Sequence, residues 1–299
     1  MSSLVGTQAV LIYRKADEAT IKLVRDILMV SHHLYLGELG RSFIETSFAA
    51  VLDALRAKTE LDGVFDARRD AFACSGLDSP RRMYKEGSLR RTIRLLSLEG
   101  FEGHIVDVGA ADNMLGWTLT QNLAPQAAFT GIDIARTAGV KESPRLHFIQ
   151  QGDPTVIPLE DRSVDICLFR FSLHHMEYDV QQKILEEAQR VTASSGRIVL
   201  VEDSYSLALP ALADNMLHRV LLGLDKRIWD ALALLDASSC LVTEETMTFP
   251  FSFRSVEDWQ SLGVKIGLEL RRVDYWGLPF FSLYQAPLAI LNFGPGESC

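Results

Sequence analysis

Apolar and polar positions fall into two regimes along the chain. Up to about residue 99, apolar residues recur every three or four positions. Asp17 to Val30 sets Ile21, Val24, Ile27 and Leu28 on one face, and Ser42 to Lys58 does the same with Phe43, Phe48, Val51, Leu52 and Leu55. That spacing predicts amphipathic helices. A third short helix is expected over Val64 to Ala73. Ser79-Pro80 reads as an N-cap with proline at the first helical position, opening a helix that runs, with a break at Gly87, to about Leu98.

Beyond residue 103 short apolar runs alternate with helical stretches. Strands are expected at 104–108, Ala128 to Ile134, Leu146 to Gln150, Val164 to Phe169 and Arg197 to Val201. Helices are expected at Met114 to Asn122 and about Val180 to Val191. This alternation predicts an α/β architecture, a parallel sheet with helices on both faces. Residues 204–250 interrupt it with a long apolar helical stretch, Leu212 to Leu235. Inserts at the carboxyl end of a strand commonly wall a substrate pocket. Ser255 with Asp258 approaches a capping box for a helix through Ile266. Two strands close the chain, about Glu269 to Tyr275 and Ser282 to Phe293. Pro287 cannot donate to a ladder, so a bulge or a start at Leu288 is expected there.

Charge sharpens the boundary. Residues 1–100 carry fifteen basic and thirteen acidic side chains; the remainder carries fifteen and twenty-six, within a net charge of −9. We therefore divide the chain into a helical segment, 1–99, and an acidic α/β domain, 100–299, with 204–250 as its insert. The first is expected to be a cap, a lid or a dimerisation element, which leaves a homodimer open. Net acidity disfavours nucleic acid. No apolar run approaches the ~20 residues of a membrane span, and Met1 to Gln8 lacks a secretory pattern. Four scattered cysteines, Cys74, Cys167, Cys240 and Cys299, form no metal knuckle or disulfide framework. A cytoplasmic protein without a membrane partner is expected, and no metal.

Candidate chemistry concentrates at Ile105-Val106-Asp107-Val108-Gly109-Ala110-Ala111-Asp112-Asn113. It reads as a strand, a small-residue turn and a helix start, the arrangement that brings backbone N–H groups against a ligand. Asp107 ends the first strand, Asp133 the second, and Asp153 follows the third. Acids at the carboxyl ends of successive strands suit a nucleoside: one for the ribose hydroxyls, one for the adenine amino group. Gly109 and Ala110 let the backbone approach it. Two other features are read first as structural: His32-His33-Leu34-Tyr35 at a helix break as a loop or helix-packing pair, and the basic run Arg81, Arg82, Lys85, Arg90, Arg91, Arg94 as a solvated helix face, with pairing to an anionic substrate as its functional alternative.

These residues resemble the class I S-adenosylmethionine-dependent methyltransferases of the small-molecule type. The first motif of that family resembles Val106 to Asn113, with its second and third glycines replaced by Ala111 and Asn113. Its ribose acid falls on Asp133 and its adenine-side acid on Asp153 in Gln151-Gly152-Asp153. Ile157-Pro158-Leu159-Glu160-Asp161-Arg162-Ser163-Val164-Asp165, Leu173-His174-His175-Met176, and Glu187-Ala188-Gln189-Arg190-Val191 with Ser195-Gly196-Arg197-Ile198 match its later motifs. The cover is about residues 100–203, with looser similarity through 255–293.

The resemblance implies a Rossmann-like methyltransferase fold, a seven-stranded, mostly parallel sheet beside an N-terminal helical cap. It implies S-adenosyl-L-methionine as cofactor, S-adenosyl-L-homocysteine as product, and a small-molecule acceptor in secondary metabolism methylated on oxygen, nitrogen or carbon. Cofactor contacts are implied at Asp107, Gly109, Ala110, Ala111, Asp133, Ile134, Gly152, Asp153, Phe169 and Arg170. Arg170 would meet the cofactor's carboxylate or an acceptor anion, and Asn113 would crowd or bond the methionine portion.

An acceptor that must lose a proton needs a base, and a histidine titrates in the useful range. His174 and His175 are the candidates, His174 first, with Glu202 and Asp203 behind them. Trp229, Trp259, Tyr275, Trp276, Phe280 and Phe281 are available for an apolar acceptor wall or for core packing. A non-catalytic scaffold or partner subunit, and a non-methylating enzyme using the same cofactor, stay open here; binding without turnover would mark the scaffold.

Overall fold

The computed structural model describes residues 4–77, 86–87, 89–90, 92–137, 139–204, 228–240, 250, 252–276 and 288–295. Several expectations lie outside them: the helix start at Ser79-Pro80, most of Leu212 to Leu235, Pro287, Phe280 and Phe281, and Arg81, Arg82, Lys85 and Arg91. The side chains of Tyr35, Trp229, Tyr275 and Trp276 do so too. The chain forms two units: 1–84 with 207–251 and 276–287, and 85–206 with 252–275 and 288–299.

The first unit is helical where described: α1 (Leu4–Lys15), α2 (Glu18–Ala57), α3 (Asp62–Cys74) and α6 (Ile228–Cys240). Asp17 caps α2 by accepting from Thr20 N at 2.7 Å. The two expected helices meet inside α2 at Gly37, which takes φ 69° and ψ −160° where no other residue type sits easily. His32 and His33 lie on α2 before that break. His32 Nδ1 faces Leu28 O at 2.9 Å, and His33 Nδ1 lies 3.3 Å from Glu38 Oε1. Tyr13, Phe48 and Phe65 pack together at the centre, and Tyr13 Oη is 2.5 Å from Ser238 Oγ on α6. Thus α6, which the sequence places in an insert of the α/β part, packs with α1 and α2.

The second unit is a seven-stranded sheet in the order β3-β2-β1-β4-β5-β7-β6. Its strands are β1 (His104–Val108), β2 (Ala128–Asp133), β3 (Leu146–Gln150), β4 (Val164–Arg170), β5 (Thr192–Asp203), β6 (Leu268–Trp276) and β7 (Leu288–Pro295). The first five pair in parallel, and β7 runs antiparallel to β5. Helix α4 (Met114–Thr118) is short and passes into a π turn over Leu119–Leu123, so the expected helix to Asn122 is only half α. Helix α5 (Tyr178–Val191) buries Gln181, Ile184, Leu185, Ala188 and Val191, one stripe at helical spacing. The capping box of α7 (Val256–Lys265) is complete: Asp258 N donates to Ser255 Oγ and Ser255 N to Asp258 Oδ2, both 3.0 Å. Strand β7 is described from Leu288, and Pro287 lies outside the described residues.

Strands β1 and β4 are buried on both faces, as a parallel sheet covered by helices requires. Two family-like motifs prove to be partners in this scaffold. Arg190 on α5 donates to Ile157 O (2.8 Å) and Leu159 O (2.9 Å) and pairs with Asp161 and Glu187. Glu187 holds Arg190 cationic beyond its ordinary range. At the amino end of β4, Asp165 Oδ2 accepts from His104 N at 2.8 Å and sets β1 against β4. Among the described residues no helix is long and apolar enough to cross a membrane.

Candidate functional site

The carboxyl edge of β1, β2 and β4 gathers the charged candidates. Asp107 pairs in register with Gly131 of β2 and Leu168 of β4. Side chains two residues apart in a strand share a face. Asp133 and Arg170 therefore project on the same side of the sheet as Asp107. Asp107 is buried and its Oδ1 has no hydrogen-bond partner. Burial pushes its pKa up to about 7; Arg170 pulls the other way, and Asp133 and Asp112 add to the rise. Arg170 has a buried Nε, likewise without a partner, and its guanidinium lies 5.5 Å from the Phe171 ring centre. A carboxyl oxygen and a guanidinium nitrogen without hydrogen-bond partners thus share one edge.

The turn after β1 is shaped by left-handed backbone. Gly109, Ala111 and Asn113 take φ 84°, 50° and 62°. Ala111 and Asn113 therefore adopt the conformation that glycine would give. A Cβ on Gly109 would stand 2.3 Å from Ser172 Cβ, so the turns after β1 and β4 abut there. The expected cradle of N–H groups is otherwise engaged. Gly109 N and Ala110 N donate to Ile132 O at 2.8 and 3.1 Å, and Ala111 N donates to Asp133 Oδ2 at 2.9 Å. This turn offers a ligand its contour rather than those donors. The Asn113 amide donates to Lys141 O (2.9 Å) and His147 O (3.1 Å), and the residue is buried. Its NH2 group holds the turn to its neighbours, while its buried Oδ1 has no hydrogen-bond partner.

The other implied contacts divide. Asp133 is half-buried and each carboxylate oxygen takes a backbone donor, Oδ1 from Ala135 N at 3.2 Å. Beside it Ile134 is 48% exposed, an apolar surface at the strand tip. Asp153 is exposed; its Oδ1 accepts from Thr155 N (2.8 Å) and Thr155 Oγ1 (2.7 Å), which holds its carboxyl below the usual range. Gly152 has open space where a Cβ would go. The Phe169 side chain is part of the hydrophobic core, so only its main chain reaches the edge. Ala110 is buried.

The histidines follow β4 in a short 3₁₀ turn, Leu173–His175. Glu202, buried near the end of β5, gathers this turn. Its Oε1 accepts from Ser172 N (2.9 Å) and Leu173 N (2.8 Å), and its Oε2 accepts from His174 Nδ1 at 2.5 Å. His174 is 2% exposed, stacks on Phe253 at 5.1 Å and lies 4.2 Å from the half-buried His175. Gln181 completes the seat: its Nε2 donates to Leu173 O and Ser252 O, while its Oε1 accepts from Arg254 Nε. From the sequence Glu202 is a further candidate base or, first, a local hydrogen-bond acceptor, and the structure shows it accepting three hydrogen bonds. The signal that it belongs with His174 is its place after the apolar run Ile198 to Val201, where a carboxylate is buried and must find donors. Trp259 is core, 1% exposed.

Residues 106–200 match the family of methyltransferase domains. Among solved structures, the pyocyanin biosynthetic protein PhzM is 17% identical, with 89% of this chain and 72% of that one covered and a TM-score of 0.56. CalO1, a methyltransferase in calicheamicin biosynthesis solved with S-adenosylhomocysteine bound, is 18% identical, with 80% and 62% covered and a TM-score of 0.50. No curated protein matches the chain.

Proposed function

We propose that the chain, whose residues 106–200 match the family of methyltransferase domains, is a class I S-adenosylmethionine-dependent methyltransferase that transfers a methyl group to a small-molecule acceptor. One observation carries the cofactor site: Asp107 and Arg170 each keep a buried polar atom without a partner on the face that also bears Asp133. The amino-acid end of S-adenosylmethionine is a zwitterion. Its ammonium fits Asp107, and its carboxylate fits Arg170. Asp133, with lone pairs left beyond its two backbone donors, fits the ribose hydroxyls. Ile134 offers its exposed side chain to the adenine ring. The cofactor supplies an electrophilic methyl carbon on a sulfonium.

For an acceptor that ionises, His174 is the base. Glu202 fixes its tautomer by accepting a hydrogen bond from Nδ1–H, which leaves Nε2 as the basic nitrogen of the neutral ring. Glu202 acts through His174 and is a positioning residue. The similarity to a methyltransferase of calicheamicin biosynthesis is in line with a small acceptor. Calorimetric titration with S-adenosylhomocysteine, followed by transfer of a radiolabelled methyl group to a panel of phenols, amines and acidic carbon compounds, tests the reading. Binding with turnover on a panel member supports it; binding with none on any class favours a scaffold.

A further inference from the structure

The helical unit carries a charge that methyl transfer does not use. Helix α3 faces its core with the stripe Phe65, Arg68 and Phe72. An arginine thus stands where the helical pattern calls for an apolar residue. Arg68 is 3% exposed, and among the described residues of this unit it is the one charged side chain so deeply buried. Nε, Nη1 and Nη2 all lack hydrogen-bond partners. Its guanidinium lies 5.4 Å from the Phe48 ring centre, and Phe48 and Phe65 both pack on Tyr13. A guanidinium stays charged at any working pH, so it cannot escape burial by losing a proton. One cation–π contact falls well short of what desolvating that charge costs. An unpaired buried charge of this kind is destabilising, and a methionine or leucine would fill the place better.

We propose that Arg68 anchors the carboxylate of an aromatic monoacid bound within the helical unit. The planar fork of donors matches a carboxylate two bonds at a time. Tyr13, Phe48 and Phe65 are packed on one another, and when the helices part their rings would meet an aromatic body rather than a sugar. One buried cation balances one negative charge, which favours a monoanion over a phosphate. Because all three nitrogens are sealed from solvent, the ligand enters only when the helices part, and association is slower than an open cleft would allow.

The test uses the full chain without cofactor, so its failure leaves the methyltransferase reading untouched. Benzoate, its neutral isostere benzamide and phenyl phosphate are titrated by calorimetry and by thermal shift against the wild type, Arg68→Met and Arg68→Lys. Benzoate is expected to bind and to raise the melting temperature, with benzamide at least about 30-fold weaker, as for loss of one partner of a buried charge pair. Arg68→Met should abolish benzoate binding and melt higher than the ligand-free wild type, while Arg68→Lys should bind about tenfold more weakly for want of the fork. No benzoate binding, equal binding of benzamide, or unchanged benzoate binding by Arg68→Met overturns the proposal. So does a lower melting temperature for Arg68→Met with no ligand response, which would make Arg68 a packing residue. Phenyl phosphate binding more tightly than benzoate overturns the choice of a monoacid.

Discussion

Glu202 Oε2 accepts from His174 Nδ1 at 2.5 Å, with both side chains almost wholly buried. The same carboxylate takes Ser172 N and Leu173 N, so one side chain from β5 fixes both the turn after β4 and the tautomer of its first histidine. Structural and catalytic roles separate by measurement. Glu202→Gln keeps the volume but places an amide donor against a donor. It should lower stability by about 3 kcal/mol in urea unfolding, as expected when a buried charged acceptor is lost. His174→Gln should lower kcat by about 10²–10⁴ while changing S-adenosylhomocysteine affinity less than about threefold, because only proton removal is touched. A large loss of cofactor affinity with kcat intact would make His174 part of the cofactor site instead.

Asp107 predicts a pH dependence with a definite sign. Its carboxyl is raised to about 7 in the folded chain, chiefly by burial. The folded state therefore binds a proton more tightly than the unfolded one, whose aspartate titrates near ~3.9. The contribution of the protonated form is fully present below about pH 4 and is lost as pH rises toward 7, up to about 4 kcal/mol in all. Asp107→Asn should flatten that part of the stability profile, raising stability most at pH 8. Cofactor binding carries the opposite sign, because the ammonium needs the carboxylate. Affinity for S-adenosylhomocysteine should fall by up to about tenfold per unit below pH 7, with the dependence absent in Asp107→Asn.

The strands were legible because each is a short apolar run closed by a turn residue, and β1 and β3 match their expected limits. Strand β5 is longer than its apolar run, since Thr192 to Gly196 continue it as an irregular edge beside Val164. Asp133 and Asp107 were readable as strand-end acids. What escaped were relations set by distant residues. Nothing near Asn113 in sequence announces that Lys141 O and His147 O will claim its amide. Nor does the helical period around Arg68 disclose that its guanidinium turns inward, since a lone arginine in such a stripe ordinarily reaches solvent.

The left-handed turn predicts a gain in stability from restoring glycine. Ala111 sits at φ 50°, where an L side chain costs about 1 kcal/mol or more. Ala111→Gly removes that strain but frees the unfolded chain, so the net gain should be about 0.5–1 kcal/mol in urea unfolding. Asn113→Gly relieves less, since asparagine tolerates this backbone, and it deletes two buried hydrogen bonds. It should lose about 1–3 kcal/mol. Equal gains from both changes would show that the Asn113 amide contributes nothing.

Asp133 carries the ribose assignment and also supports the turn. Its Oδ2 accepts from Ala111 N and its Oδ1 from Ala135 N, so truncation to alanine would release the turn as well as the ligand. Asp133→Asn preserves one acceptor oxygen and the shape, removes the charge, and sets its NH2 against one of the two backbone donors, so it disturbs the turn less than alanine does. Two charge-assisted hydrogen bonds to vicinal hydroxyls become, at best, one neutral bond as acceptor and one as donor. The expected loss is about 2–3 kcal/mol, a fall in S-adenosylmethionine affinity of about 30–150-fold. The same variant should discriminate less against 2′-deoxy-S-adenosylhomocysteine than the wild type does, because the missing hydroxyl no longer leaves a carboxylate unsatisfied. Unchanged discrimination between the ribose and deoxyribose ligands would remove Asp133 from the sugar and leave it as a support for Ala111 alone.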